Sequence, residues 1–193
     1  MHVVGSIIAR LGSQRLAFKN ILPFAGRPLV GLGIEILNQA RLVDEVVVST
    51  ESELIARIVL DFRGTVLFRP RELAGDEVRS IPVFQHIVAN YPCDVHVNFN
   101  INFPMCAPAV IDRAVEKAIV EGEALSVPYA VWAQTADCLA AYGDPAIITG
   151  FQHSFRDDRA GPCDIHTIED LMHTYRTRQG VRAPGLPEAF LGV

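Results

Sequence analysis

An excess of positive charge is missing from this chain. Its 17 lysines and arginines are outnumbered by 22 acidic residues, for a formal net charge of −5, which gives no support to nucleic acid or an anionic membrane surface as a partner. Its four cysteines, Cys93, Cys106, Cys138 and Cys163, are scattered without a CxxC pair. That excludes a zinc knuckle or a dithiol redox pair and predicts free thiols. No apolar run reaches the length of a membrane span, and Met1-His2-Val3-Val4 carries none of the basic residues of a secretory leader. A cytoplasmic protein is the expectation. Neither the GxxxxGK[ST] spacing of a P-loop nor the three glycines of a dinucleotide fingerprint occurs.

Half of the 193 residues are apolar and a fifth are charged, a composition that folds and suits a single domain over 1–193. Val3, Val4, Ile7 and Ile8 read as a buried strand at the N-terminus. A helical stretch is expected over 28–42, a β-branched strand at Val46-Val47-Val48, a helix over 53–60, a break at Gly64 and a strand over 66–68. Further on come a helix over 81–89, a strand over 93–99, a helix over 109–121 and a strand over 124–127. Strands alternating with helices in this way predict an α/β fold of three layers, a mostly parallel sheet with helices on both faces. Ligands of such sheets bind beyond the carboxyl ends of the strands.

The loop after the first strand falls at that edge, and it gathers Arg10, Arg15 and Lys19 around Gly12-Ser13. Backbone N–H groups at Gly12 and Ser13, approached closely because glycine has no side chain, together with three fixed cations, are what a triphosphate needs. Later, the segment 95–104 alternates apolar residues with His96, Asn98, Asn100 and Asn102. It reads either as a sheet edge with one wet face or as a strand whose end, from Asn100 to Asn102, lines a pocket. Phe155-Arg156-Asp157-Asp158-Arg159 reads as a solvated loop of mixed charge. In Asp164-Ile165-His166-Thr167, the threonine is an expected N-cap with Glu169 and Asp170 in the first helical turn. His166 is either a metal ligand or an ordinary helix-start residue. Residues 182–193, rich in proline and glycine, read as an extension.

The stretch Ile7-Ile8-Ala9-Arg10-Leu11-Gly12-Ser13-Gln14-Arg15-Leu16-Ala17-Phe18-Lys19-Asn20 closely resembles the signature of the cytidylyltransferases that activate acidic sugars, the CMP-sialate and CMP-ketodeoxyoctonate synthetases. The resemblance continues through Val46-Val47-Val48-Ser49-Thr50, Arg69-Pro70-Arg71-Glu72-Leu73-Ala74 and Asp164-Ile165-His166-Thr167-Ile168-Glu169-Asp170-Leu171. It implies a nucleotide-diphospho-sugar transferase-like, Rossmann-like fold and transfer of CMP from CTP to a small acidic acceptor, with release of pyrophosphate. By the same resemblance Arg10, Lys19 and Asp164 are catalytic. Gly12, Ser13, Gln14 and Arg15 hold phosphates, Asn20, Arg69 and Ser80 take base and ribose, and Asn100 faces the sugar. Asp164, His166 and Asn102 stand where metal ligands are expected, for Mg²⁺ or, given an imidazole among them, Mn²⁺. The family's dimerisation and acceptor arm is shortened over 132–161, where the resemblance fails. Homodimer formation is implied; a smaller acid such as a phosphonate, or a non-catalytic nucleotide-binding role, stands as the alternative reading.

Overall fold

The structure is a computed structural model and describes residues 1–13, 15–142, 153–161 and 163–178. Seven strands form the main sheet: β1 (Val3–Ile8), β4 (Glu45–Thr50), β5 (Thr65–Phe68), β6 (Val95–Phe99), β7 (Glu123–Val127), β8 (Val131–Thr135) and β9 (Ser154–Arg156). The two-residue strands β2 (Pro23–Phe24) and β3 (Arg27–Pro28) make a small antiparallel ribbon apart from it. The spatial order is β5-β4-β1-β6-β8-β7-β9. Pairs β5–β4, β4–β1, β1–β6 and β7–β9 are parallel, whereas β8 runs antiparallel to both β6 and β7. The sheet is mostly parallel, as expected, with one reversed strand inserted beside its centre.

Alternation along the buried strands sends side chains to two helical layers. Val3, Ile7, Val46, Val48, Val95, Val97 and Phe99 pack with helices α1 (Leu29–Asn38), α2 (Glu53–Asp61) and α4 (Pro108–Glu121) in one core. Val4 and Val47 pack on the other face against Val83 and Ile87 of α3 (Ser80–Asn90), and Trp132 meets Phe84 of α3 and Leu139 of α5 (Ala136–Ala141). Helix α6 (Ile168–Thr177) closes the described chain. Two glycines inside α1 are required by close approach: a Cβ on Gly33 would lie 2.4 Å from Ile101 Cγ2 and 2.9 Å from Ile7 Cδ1, and one on Gly31 would lie 2.7 Å from the Phe62 ring. Any side chain there would have to push these neighbours aside.

Three expectations are corrected. Helix α1 ends at Asn38 instead of 42, because Asp112 of α4 takes the chain beyond it, accepting from Leu42 N at 3.0 Å and Arg41 Nε at 3.2 Å. The polar strand is no wet edge: β6 lies between β1 and β8 with all five residues buried, and it stops at Phe99. Its polar side chains face polar partners across the register, since Ser6 stands opposite Asn98 and His96 opposite Gln134. Ser6 Oγ lies 2.8 Å from His96 Nε2 and accepts from Asn98 Nδ2 at 3.2 Å. Burial of a hydrogen-bonded polar row costs far less than burial of single polar groups.

The third correction concerns 155–159, read as a solvated loop of mixed charge. Over 132–161 the described residues lie in the body of the fold, as β8, α5 and β9. Phe155 is buried, and Asp157, 5% exposed, accepts from Arg113 Nη1 at 2.9 Å and from Arg159 Nε at 2.9 Å and Nη2 at 2.8 Å. The Arg159 guanidinium, with Arg113 beside it, outweighs burial and holds that carboxyl far below the usual range. The mixed-charge segment is therefore an ion-paired staple.

Candidate active site

A cavity of about 520 Å³ opens where β1 and β6 end, walled by the loop after β1, the start of α3, the turn before β8 and His166. Into it the structure brings Arg10, Ser13, Arg15, Lys19, Asn20, Ser80, Asn100, Asn102 and His166 from the residues expected at the site. Gln14 lies outside the described residues.

The loop after β1 is held open by bonds to its neighbours. Ala9 N donates to Ser49 O at 3.0 Å, Leu11 N to Glu51 Oε1 at 2.9 Å, and Asn20 Nδ2 to Arg10 O at 2.8 Å. Asn20 is thus a brace of the loop as well as part of the wall. Phe18 adopts left-handed backbone (φ 56°, ψ 21°) and starts the short 3₁₀ turn Lys19–Ile21, which aims Lys19 inward. Lys19 Nζ donates to Ile165 O at 3.3 Å. Its amine is lowered from the ordinary lysine value by burial, with Arg15 and Arg10 pushing the same way and Asp164 opposing. Three cations and one carboxylate therefore share one field. Ser13 N–H is already donated to Leu11 O at 3.1 Å, so it serves the turn and does not stand free for an anion. At Gly12 a Cβ would meet no atom within 4 Å, so neither packing nor backbone strain asks for glycine there.

Arg69 departs from expectation. It is 6% exposed, with Nη2 donating to Ala9 O at 3.1 Å and to Glu51 Oε2 at 2.8 Å. Burial would raise the Glu51 carboxyl, but the bonds from Arg69 and from Leu11 N prevail and hold it low. Arg69 lines a smaller cavity of about 190 Å³ beside the first, and the two share Ile8, Arg10, Asp76 and Ser80. Arg69 thus supports the phosphate loop from below as well as lining this annex.

The opposite wall consists of carboxamides and a phenol. Asn98 Nδ2 is tied to Ser6, which leaves Oδ1 as the acceptor end toward the cavity. Asn100 Nδ2 donates to Tyr129 O at 3.1 Å, and its Oδ1 accepts from Asn102 N at 3.1 Å. Tyr129 sits in a turn built by Ser126 Oγ, which accepts from Ala130 N at 3.1 Å and Val131 N at 2.9 Å. Burial raises the Tyr129 phenol, partly offset by its hydrogen bond with Ser80. Asp76, Glu77, Asn98 and Tyr129 were not foreseen as site residues. Asp76 and Glu77 follow directly on the Arg69–Ala74 block, which was the available signal; nothing local marks Tyr129, whose place depends on β8.

Asn102 O accepts from Ile165 N at 3.0 Å, so the segment 164–166 is stitched to the end of the polar strand. Asp164 Oδ2 lies 3.0 Å from His166 Nε2, whereas Asp164 Oδ1 and His166 Nδ1 are buried without a hydrogen-bond partner. An orphaned carboxylate oxygen is unfavourable by itself and is a donor held ready for a cation. Among the described residues no group of three His, Cys, Asp or Glu side chains is placed to hold an ion. One carboxylate, one imidazole and the Asn102 carboxamide suit an ion that arrives mainly on phosphate oxygens, the common mode for Mg²⁺, and the nitrogen donor suits Mn²⁺ at least as well.

A three-layer sheet with a cationic loop beyond its first strand is the architecture of the nucleotide-diphospho-sugar transferase-like proteins. The structure of CMP:2-keto-3-deoxy-manno-octonic acid synthetase complexed with CTP superposes with a TM-score of 0.79 at 16% identity, over 93% of this chain and 99% of that one. The chain belongs to the cytidylyltransferase family, whose sequence profile matches residues 4–145. It is 35% identical over 115 residues to the 3-deoxy-manno-octulosonate cytidylyltransferase of Geobacter sulfurreducens, covering 60% of this chain and 44% of that protein. To the N-acylneuraminate cytidylyltransferase of Escherichia coli O18:K1:H7 it is 34% identical over 89 residues, 46% of this chain and 21% of that protein. The chain thus spans less than half the length of either relative.

Proposed function

We propose that the chain transfers CMP from CTP to an oxygen of a sugar acid of the ulosonate or nonulosonate type. In this reaction an acceptor oxygen bonds to the α-phosphorus, the bond from that phosphorus to the bridging oxygen breaks, and pyrophosphate leaves. The observation that carries the reading is the convergence of Arg10, Arg15 and Lys19 on one cavity, with Lys19 bonded to the backbone beside Asp164. Cations fixed at that spot stabilise the charge that grows on the leaving pyrophosphate without having to reorganise. Asn20 and Ser80, with Arg69 in the annex, are assigned to nucleoside and loop support. Gly12 fits a backbone approached by phosphate.

Asn98, Asn100 and Tyr129 face the acceptor and orient its hydroxyls through acceptor and donor groups that stay uncharged. Alignment of the attacking oxygen is their contribution to rate. Asp164, with His166 and Asn102 beside it, would hold a divalent ion, which when bound neutralises phosphate charge at the reacting centre. The relatives' names, for enzymes acting on 3-deoxy-manno-octulosonate and N-acylneuraminate, support a sugar acid as the acceptor class.

The test is pyrophosphate release from CTP against a panel of sugar acids and phosphonates, with Mg²⁺ and with Mn²⁺. Release only with a sugar acid is expected. Release only with phosphonates moves the acceptor class, and tight CTP binding without release under any pairing overturns the catalytic reading in favour of a nucleotide-binding role.

A further inference from the structure

The cations that stabilise pyrophosphate as it leaves are the same groups that would retain it, and two carboxylates share the cavity with them. Asp76 and Glu77 line it beside the phosphate loop, and Asp76 forms an ion pair with Arg10 Nη1. Both partners line the main cavity and the annex, so the pair stands on the boundary between the two. We propose that Asp76 competes with phosphate oxygens for Arg10 and thereby sets how readily pyrophosphate leaves; the inference rests on the cytidylyl-transfer reading above.

The setting of Asp76 suits an exchangeable partner better than a fixed brace. The side chains of Arg10 and Asp76 are 32% and 40% exposed, so the pair is neither sealed from water nor fully screened. The backbone around Asp76 is held by short-range bonds: Leu73 N to Pro70 O at 3.0 Å, Ala74 N to Arg71 O at 3.1 Å and Val78 N to Gly75 O at 3.3 Å. At Gly75 a Cβ would meet only Val78 Cγ2, at 3.7 Å. These bonds stay within the segment 70–78. This contrasts with Arg69, whose guanidinium is locked to Ala9 O and Glu51 under the same loop. One arginine is fixed, and the other is held by a partner that a phosphate can replace.

The consequence falls unequally on the ligands. CTP and pyrophosphate both need Arg10 for phosphates beyond the α position, so both must displace Asp76, whereas CMP has no such phosphate. After transfer, pyrophosphate has lost its covalent link to the nucleoside, and return of the Asp76 carboxylate to Arg10 helps it go. Asp76 is thus a positioning residue that acts through Arg10. Glu77 keeps negative charge in the cavity while Asp76 is displaced, which disfavours retention of the pyrophosphate anion.

Calorimetric titration with inorganic pyrophosphate, CTP and CMP, together with product inhibition by pyrophosphate, tests this. Asp76→Asn is expected to tighten pyrophosphate roughly two- to five-fold, the range for a partly exposed ion pair, to deepen product inhibition in proportion, and to leave CMP unchanged. Asp76→Ala, which removes the carboxylate without adding a carboxamide, should move in the same direction. In an Arg10→Ala background neither change should have any effect. Equal or weaker pyrophosphate binding by both variants, an equal gain for CMP, or a gain that survives Arg10→Ala overturns the inference and leaves the transfer reading intact. Failure of the unmodified protein to bind CTP or pyrophosphate at all overturns both.

Discussion

At the scale of single residues the cavity divides its labour between charge and hydrogen bonding. Lys19 reaches Ile165 O and sits among Arg10, Arg15 and Asp164, and the proposed reaction assigns its amine to phosphates far from the nucleoside. Lys19→Ala should weaken CTP and pyrophosphate by about ten-fold or more and CMP far less, measured by titration of each ligand; equal losses for CMP and CTP would place Lys19 at the α-phosphate instead. His96 gives a second prediction. Its imidazole is fully buried among Ser6, Gln134 and Phe84, and burial lowers it from 6.5 to about 4, with the Gln134 bond opposing. The unfolded chain therefore takes up this proton first, and stability falls as pH drops from about 6.5 toward 4. Between pH 7 and pH 5 the loss from this one group is about 2 kcal/mol. Urea midpoints at the two pH values should converge in His96→Asn relative to the unchanged chain, and an undiminished slope would show that other groups carry it.

At the scale of elements, α6 begins with a capping box that also shapes the site. Thr167 Oγ1 accepts from Asp170 N at 3.2 Å, while Asp170 Oδ2 accepts from Thr167 N at 2.8 Å and His166 N at 2.9 Å. Asp170→Ala should cost about 1 kcal/mol, a fall in melting temperature of roughly 2–4 °C, and should weaken CTP because His166 N, next in the chain to the Ile165 carbonyl that holds Lys19, loses its acceptor. Thr167→Ala should cost similar stability and spare CTP; calorimetric scans with ligand titrations on both variants check the split. This start was legible in the sequence, because a threonine followed three residues later by an acid has a local physical meaning. The parallel half was legible for the same kind of reason, since the β-branched run at Val46–Val48 and the break at Gly64 act through near neighbours. Strand β8 was not, because its place between β6 and β7 is decided by pairing across the sheet. Without it, the polar face of β6 had no visible partner in Gln134, and a solvated edge stood as one of its two readings.

At the scale of the whole molecule, the cavity's cations come from one short run of chain, and the rest of its lining is assembled from segments around residues 76, 100, 129 and 166. That asymmetry explains why Arg10, Arg15 and Lys19 could be read together, whereas Tyr129 acquires its place only in three dimensions. It also has a mechanical side. Ile101, between two of the wall carboxamides, rests on the bare Cα of Gly33 in α1. Gly33→Ala should destabilise the fold by about 1–3 kcal/mol and, in the surviving population, weaken acceptor use more than CTP binding, as separate KM values for the two substrates would show. Equal changes in both would mean that the strain is absorbed elsewhere. On the proposed reading, the depth of the acceptor chamber would then be adjustable from underneath. Helix α1 would act as a shim beneath its floor, and altering the shim by one methyl group would retune which acceptors fit while every cavity-lining side chain keeps its identity.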